Sequence, residues 1–337
     1  MTNYIRGDLL LYTNKGVKRA DKLIKTDLIH GIDKYVEIDE ITKNNVKGYP
    51  YLFKIKTIHN IDNYYLSGNN KIYSIQNIPY ELKMRDCPNF IEENKRICSP
   101  AFINVSDLTD FDYIGYPFYD IIETTETTET TETTETTETT ETTETTDETT
   151  DEITDEDKYR FQGLILLEQY TFNLNNNLNK NTIGFLNKYL HNNNISFEIF
   201  NNNITTTIKI NLTSKDKINI LKSEELINLS KQNTLYLLKG FMENNSVINT
   251  SNKNTFYLLK MLFMKVGVLL NANYINNNYV IKIPQSFDTT DSNYFIYDNY
   301  IWSKIKKINK SDKYTGQLYN LKMLDNNKYL TEIGLIS

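Results

Sequence analysis

Tyr314 to Ser337 reads YTGQLYNLKMLDNNKYLTEIGLIS, and its pattern decides how the rest of the chain is read. Leu318, Leu321 and Met323 fall near a period of two, the mark of a strand with one buried face. Asp325-Asn326-Asn327 breaks the run as polar turn residues do, and apolar spacing resumes from Tyr329 to Ile336. The stretch therefore predicts two short strands around a polar turn. Working outward, the other end of the chain behaves alike. Gly7-Asp8-Leu9-Leu10-Leu11-Tyr12 followed by Asn14-Lys15-Gly16 predicts strand, turn and strand.

Together with two further stretches, Leu66 to Tyr73 (LSGNNKIY) and Ala101 to Pro117 (AFINVSDLTDFDYIGYP), these ends resemble the motif blocks of an intein, a self-splicing domain of Hint fold. The C-terminal stretch is similar to the end of such a domain. Gly7-Asp8 and the following Val17 to Leu23 and Asp27 to Ile29 are similar to its opening. Leu66 to Tyr73 looks like the strand that carries a Thr and a His, and Ala101 to Pro117 like the segment after it. The resemblance covers roughly residues 4–118 and 296–337, with the motifs in family order. It implies a mostly-β Hint-like horseshoe built from residues 1–122 plus 296–337, with the two chain ends side by side.

Splicing requires an N-terminal Cys or Ser nucleophile, a Thr/His pair that polarises the peptide bond, and a His-Asn end. The resemblance puts the nucleophile at Tyr4, the Thr and His positions at Ser67 and Asn70, and a second His position at Asn327. Tyr4 cannot perform the acyl shift, Asn70 cannot transfer a proton, and Ser337 stands in place of the His-Asn end. Met1 leaves almost no upstream segment to splice. Each departure removes a titratable or nucleophilic group, so the expectation is a Hint fold that no longer splices. His30, His59 and His191 occupy none of these positions and read as ordinary surface or half-buried histidines. Cys87 and Cys98 lack clustered His partners and read as free intracellular thiols rather than metal ligands.

Glu123 to Thr146 is an uninterrupted Glu-Thr-Thr repeat, and acidic residues continue to Asp157. Such a tract cannot bury enough apolar surface to offset its ordering entropy, so residues 123–157 are expected to be a disordered acidic linker. It also masks the charge of the remainder. The chain has 43 acids against 37 bases, but 15 of the acids lie in 123–157, which leaves the rest at +9. A basic body suits a polyanionic partner, although the abundant Asn and Lys also fit an AT-rich coding bias. No apolar run is long enough to span a bilayer, so a soluble, intracellular monomer is expected.

Residues 158–295 read as an internal duplication. Phe161-Gln162-Gly163-Leu164-Ile165 and Leu238-Lys239-Gly240-Phe241-Met242 are short apolar helices with one glycine each. An amphipathic helix follows in both copies, with Asn194 or Gly267 as its C-cap candidate. Two strand-like runs close each copy, ending in Thr207-Ile208-Lys209-Ile210 and Val280-Ile281-Lys282-Ile283. The expected order is helix, helix, strands. This insert resembles a two-repeat LAGLIDADG (DOD-type) homing endonuclease. The resemblance implies two helices packed through small residues, each ending in a carboxylate that shares Mg²⁺ over a scissile phosphate. Carried over, Glu168 takes the acidic position of the first copy and Asn245 that of the second, with Glu243 two residues earlier. Two residues turn a helix by about 200°, so Glu243 should point away from Glu168. Metal binding would then rest on Glu168, and the pair is degenerate.

The fold class expected is thus mixed: a mostly-β Hint-like horseshoe interrupted by an α+β pseudo-twofold LAGLIDADG-like insert. The function expected is a freestanding, splicing-dead protein that retains double-stranded DNA binding with weak or no cleavage. Lys209 and Lys282 are its DNA-binding candidates, with Asn201 to Asn203 and Asn276 to Asn278 in the neighbouring turns. Two alternatives stand beside it: an active Mg²⁺-dependent endonuclease with the Hint part as a DNA-recognition arm, and a structural or interaction protein.

Overall fold

The computed structural model describes residues 3–32, 34–118, 154–167, 169–212, 221–288, 293–324 and 328–337. The Glu-Thr-Thr repeat and the expected site residues Glu168 and Asn327 lie outside the described residues.

Strands from both ends of the chain form one 15-stranded antiparallel sheet. Its longest pair joins Tyr35–Tyr49 to Tyr314–Met323, with Tyr319 opposite Lys43 and Leu321 opposite Ile41. Strand Tyr113–Pro117, at one end of the strand order, also pairs with Lys71–Ile75 near the other, so the order closes on itself. The first hairpin forms as the sequence predicts, with Leu10–Thr13 against Gly16–Arg19. The C-terminal run does not form a single strand. Tyr329–Thr331 folds back on Gly334–Ile336, with Gly334 at φ +90 and the Thr331 hydroxyl donating to the Gly334 carbonyl at 2.8 Å. The resulting turn carries Glu332 inward, fully buried.

The middle of the chain contains two copies of one unit, each ordered helix, strand, helix, strand, strand. The first is Asp155–Leu164, Thr171–Asn175, Lys180–Asn192, Phe197–Asn201 and Thr205–Ile210. The second is Lys231–Asn244, Val247–Thr250, Lys253–Lys265, Ala272–Ile275 and Asn278–Lys282. In each copy the strand between the helices pairs with the last strand, giving two three-stranded sheets of equivalent order. This corrects the helix-helix-strands expectation. Both intervening strands are four or five residues long with Asn at outward positions, too short to register as a period.

The second helix of each copy ends as expected of a left-handed cap. Asn194 has φ +53 and Ile195 N–H reaches the Leu190 carbonyl at 2.9 Å. Gly267 has φ +84 and Val268 N–H reaches the Phe263 carbonyl at 3.0 Å. The first helix begins three residues before the expected linker boundary. Thr154 caps it by accepting from Asp157 N–H, and Asp155, Glu156 and Asp157 form its acidic first turn, where carboxylates complement the helix dipole.

The duplicated unit and the large sheet share one continuous apolar core. Leu259, Leu262 and Phe263 of the insert belong to the same buried cluster as Leu11, Ile72 and Leu330. No helix among the described residues is long and apolar enough to cross a membrane.

Candidate functional site

The first centre lies where the chain ends meet. Strand Ile5–Arg6 pairs with Tyr64–Ser67 on one side and Tyr314–Met323 on the other. Tyr4 N–H donates to Ser67 Oγ at 2.9 Å, and Asn70 Nδ2 donates to the Tyr4 carbonyl at 2.7 Å and to Ser67 Oγ at 2.9 Å. From the other terminus, Ser337 N–H reaches the Lys71 carbonyl at 2.8 Å, and Lys71 N–H returns to the Ser337 carbonyl at 3.1 Å. Tyr4, Ser67, Asn70 and Ser337 therefore gather around one turn. Ser67 and Asn70 are buried, and their groups are spent on hydrogen bonds to the chain start. Among the described residues the cluster holds a phenol, serine hydroxyls and an amide but no thiol or imidazole.

The second centre is the pair of glycine-bearing helices. Gly163 and Gly240 sit where Asp155–Leu164 and Lys231–Asn244 cross. A Cβ on Gly163 would overlap the Leu237 carbonyl oxygen, and one on Gly240 would overlap that of Arg160. Only glycine lets the backbones come this close. The helices end differently. The first stops at Leu164, and Leu167 turns the chain at φ +67, whereas the second runs to Asn244 with Asn245 extended. Beyond their ends the amides interlock: Gln169 Nε2 donates to Asn245 Oδ1 at 3.2 Å, and Asn244 Nδ2 donates to Gln169 Oε1 at 3.1 Å. Asn245 is buried and its Nδ2 also caps the Phe241 carbonyl at 2.8 Å.

Glu243 takes no part in this amide cluster. Arg160 grips it with a fork, Nε to Oε1 at 2.7 Å and Nη2 to Oε2 at 3.0 Å, and Thr182 Oγ1 donates to Oε2 at 2.7 Å. Its carboxylate is thus committed to the helices Asp155–Leu164 and Lys180–Asn192. Among the described residues no three His, Cys, Asp or Glu side chains come together as a metal site.

Lys209 and Lys282 hold the same register, opposite Thr171 and Val247 respectively, and both are exposed. They differ in company: Lys209 lies 3.9 Å from Glu198 across the strand pair. The turns also differ. Asn276 and Asn277 adopt positive φ in a two-residue hairpin, while Asn202 closes a longer turn by accepting from Ile204 and Thr205 N–H.

A third cluster escaped the sequence reading. Lys260, on the insert helix Lys253–Lys265, donates to Glu332 Oε1 at 2.6 Å and to the His59 carbonyl at 3.1 Å, with both ionic side chains fully buried. Tyr12 OH donates to Glu332 Oε2 at 2.6 Å, and Asn60 Nδ2 donates to Glu332 Oε1 at 3.1 Å. Tyr116 OH and Asn60 Nδ2 satisfy the Glu332 backbone carbonyl. Burial lowers the Lys260 ammonium from its ordinary value, and Glu332 opposes that shift. Burial and then the Glu332 charge raise the Tyr12, Tyr64, Tyr116 and Tyr257 phenols. The signal available in sequence was a lone lysine inside the apolar run Phe256 to Met264. His30 and His59 are buried rather than surface or half-buried, and burial lowers them to about 4 and about 3. His59 Nδ1 lies 2.7 Å from Ser303 Oγ. Cys87 and Cys98 are free and buried, and burial pushes the Cys87 thiol up to about 11.

No family model and no curated protein matches the chain. Among solved structures it is similar to mesophilic variants of the homing endonuclease I-DmoI, at 11% identity and a TM-score of 0.31, over 39% of this chain and 89% of that one. It is similar to I-DmoI in complex with DNA and Mn at 11% identity and a TM-score of 0.31, over 39% and 90%. For I-DmoI in complex with DNA and Ca the identity is 12% and the TM-score 0.31, over 40% and 85%.

Proposed function

We propose that this chain is a DNA-binding protein in which both ancestral chemistries are silent: an intein-type Hint part that does not splice, carrying a LAGLIDADG-type insert that does not cut. The observation that carries the reading is the interlocked helix pair, whose ends present hydrogen-bonded amides from Gln169, Asn244 and Asn245. The resemblance calls for a carboxylate on each side there. In the second copy Asn245 brings an uncharged amide already bonded to Gln169, so Glu168, which lies outside the described residues, would be left as the single carboxylate of the pair, a poor fit to a Mg²⁺ site. Glu243 offers no rescue while Arg160 and Thr182 hold both its oxygens. The closed strand order and the meeting of Tyr4 with Ser337 around residues 67–71 support the Hint reading of 1–122 plus 296–337. Among the described residues Tyr4 and Ser337 meet no thiol or imidazole, which fits a part that does not splice.

DNA binding would use the exposed faces of the two equivalent sheets, with Lys209 and Lys282 at matching positions. The test is duplex affinity measured over a salt range, because each neutralised phosphate adds to the salt slope. Lys209→Glu with Lys282→Glu should lower affinity and shrink the slope by about two. Supercoiled plasmid with Mg²⁺ or Mn²⁺ should stay uncut, and reporter proteins fused to both ends should stay unligated. Cleavage in either assay overturns the corresponding half of the reading.

A second reading, as an interaction protein, is favoured by one observation. The same sheet faces and turns expose Phe200, Ile204 and Ile275 at 59%, 68% and 51%, more apolar area than phosphate contact requires. Salt-independent association without DNA affinity would select it.

A further inference from the structure

We propose that the outer face of strands Leu52–Thr57 and Tyr300–Lys310 is a phosphate-contact surface for nucleic acid. This rests on the DNA-binding reading and adds to it a surface on the 15-stranded sheet rather than on the sheets of the repeat.

The register is the first observation. Lys307 stands opposite Lys56, and Asn309 stands opposite Lys54, which is itself opposite Tyr65 on the next strand. Like charges placed directly across an antiparallel pair destabilise it. Two other strand lysines in this protein do face acids, Lys322 at 2.6 Å from Asp39 and Lys209 at 3.9 Å from Glu198. Lys54, Lys306 and Lys307 form no ion pair among the described residues. A local arrangement that opposes the fold's own stability marks a site kept for another purpose. The charges sense one another: burial first, then Lys306, with Lys54 adding, lowers the Lys56 ammonium against the pull of Asp62.

The row also continues. The Arg6 guanidinium, paired with Asp8, lies 4.1 Å above the Tyr65 ring, and both residues line a cleft of about 740 Å³ that also holds Lys18, Lys22 and Lys253 beside Asp8 and Asp62. Ammonium groups in a row beside a stacked guanidinium suit a sugar-phosphate chain. Neither strand exposes a large apolar side chain that could insert into a bilayer, which favours nucleic acid over a membrane.

The test uses the full chain and fluorescence anisotropy with a duplex and a single-stranded oligonucleotide. Lys54→Glu with Lys307→Glu should lower affinity at least about tenfold and reduce the salt slope by about two. Its melting temperature should hold or rise, because Glu at 307 would face Lys56. Should the double reversal fail to fold, Lys54→Gln with Lys307→Gln carries the same comparison with a smaller loss. An equal charge change at Lys95 and Lys239 should leave affinity within about twofold. Wild-type binding that the strand variants leave intact overturns this surface and keeps the DNA-binding reading. Wild-type protein that binds neither oligonucleotide overturns both, as does binding to phosphatidylserine vesicles alone.

Discussion

Replacing Lys260 with Met is the sharpest single perturbation this structure offers. Methionine keeps most of the side-chain volume, so the change removes a charge and two hydrogen bonds, to Glu332 Oε1 at 2.6 Å and the His59 carbonyl at 3.1 Å, without opening a large cavity. What remains is a carboxylate at 0% exposure held only by Tyr12 and Asn60. Breaking a buried ion pair on one side costs about 3–5 kcal/mol, because the surviving charge is neither hydrated nor paired. At about 2–4 °C per kcal/mol for a chain of this order of size, the melting temperature should fall by roughly 6–20 °C. Glu332→Gln in the same molecule should return much of the loss. The glutamine oxygen still accepts from Tyr12, and no unpaired charge is left buried. Because Lys260 comes from the insert and Glu332 from the C-terminal hairpin, wild-type melting should be one transition, recorded by calorimetry. A loss under about 1 kcal/mol in Lys260→Met, or a double variant as unstable as the two single losses combined, would refute the reasoning.

Two further outcomes follow from burial and packing. Gly240→Ala should destabilise by about 1–3 kcal/mol in urea melts, since its Cβ would overlap the Arg160 carbonyl, whereas Gly184→Ala, with nothing within 4 Å, should stabilise by about 0.5–1 kcal/mol. Acid should unfold the protein through His30 and His59, lowered by burial to about 4 and about 3 from 6.5. The unfolded chain accepts protons that the folded one refuses, so stability is full above pH 6.5 and declines as pH falls toward 4. The slope is up to about 2.7 kcal/mol per pH unit, and His59→Gln should roughly halve it in pH-dependent urea melts.

The sequence made some of this legible and hid the rest for identifiable reasons. Alternation around Leu318, Leu321 and Met323 reports a strand because one face is wet and the other dry. Asn194 and Gly267 report helix ends because few residues tolerate positive φ there. Glu332 misled the strand reading, since a charged residue counts as solvent-facing until its partner is known, and Lys260 lies 72 positions away. The same holds for the candidate site. That Asn245 lacks a charge was plain in the sequence. That Gln169 would meet it, and that Arg160 would claim Glu243, required the helix crossing at Gly163 and Gly240.

The meeting of Tyr4 and Ser337 around one turn has a consequence for synthesis. The slot beside Lys71–Ile75 that receives Gly334–Ile336 is made long before the strand that fills it. At about 5–20 residues per second, the intervening stretch takes the ribosome roughly 13–52 s. Throughout that interval the nascent chain carries an unpaired strand edge at Ile72, open to other chains. That edge is closed only when Gly334–Ile336 has been made and folds against it.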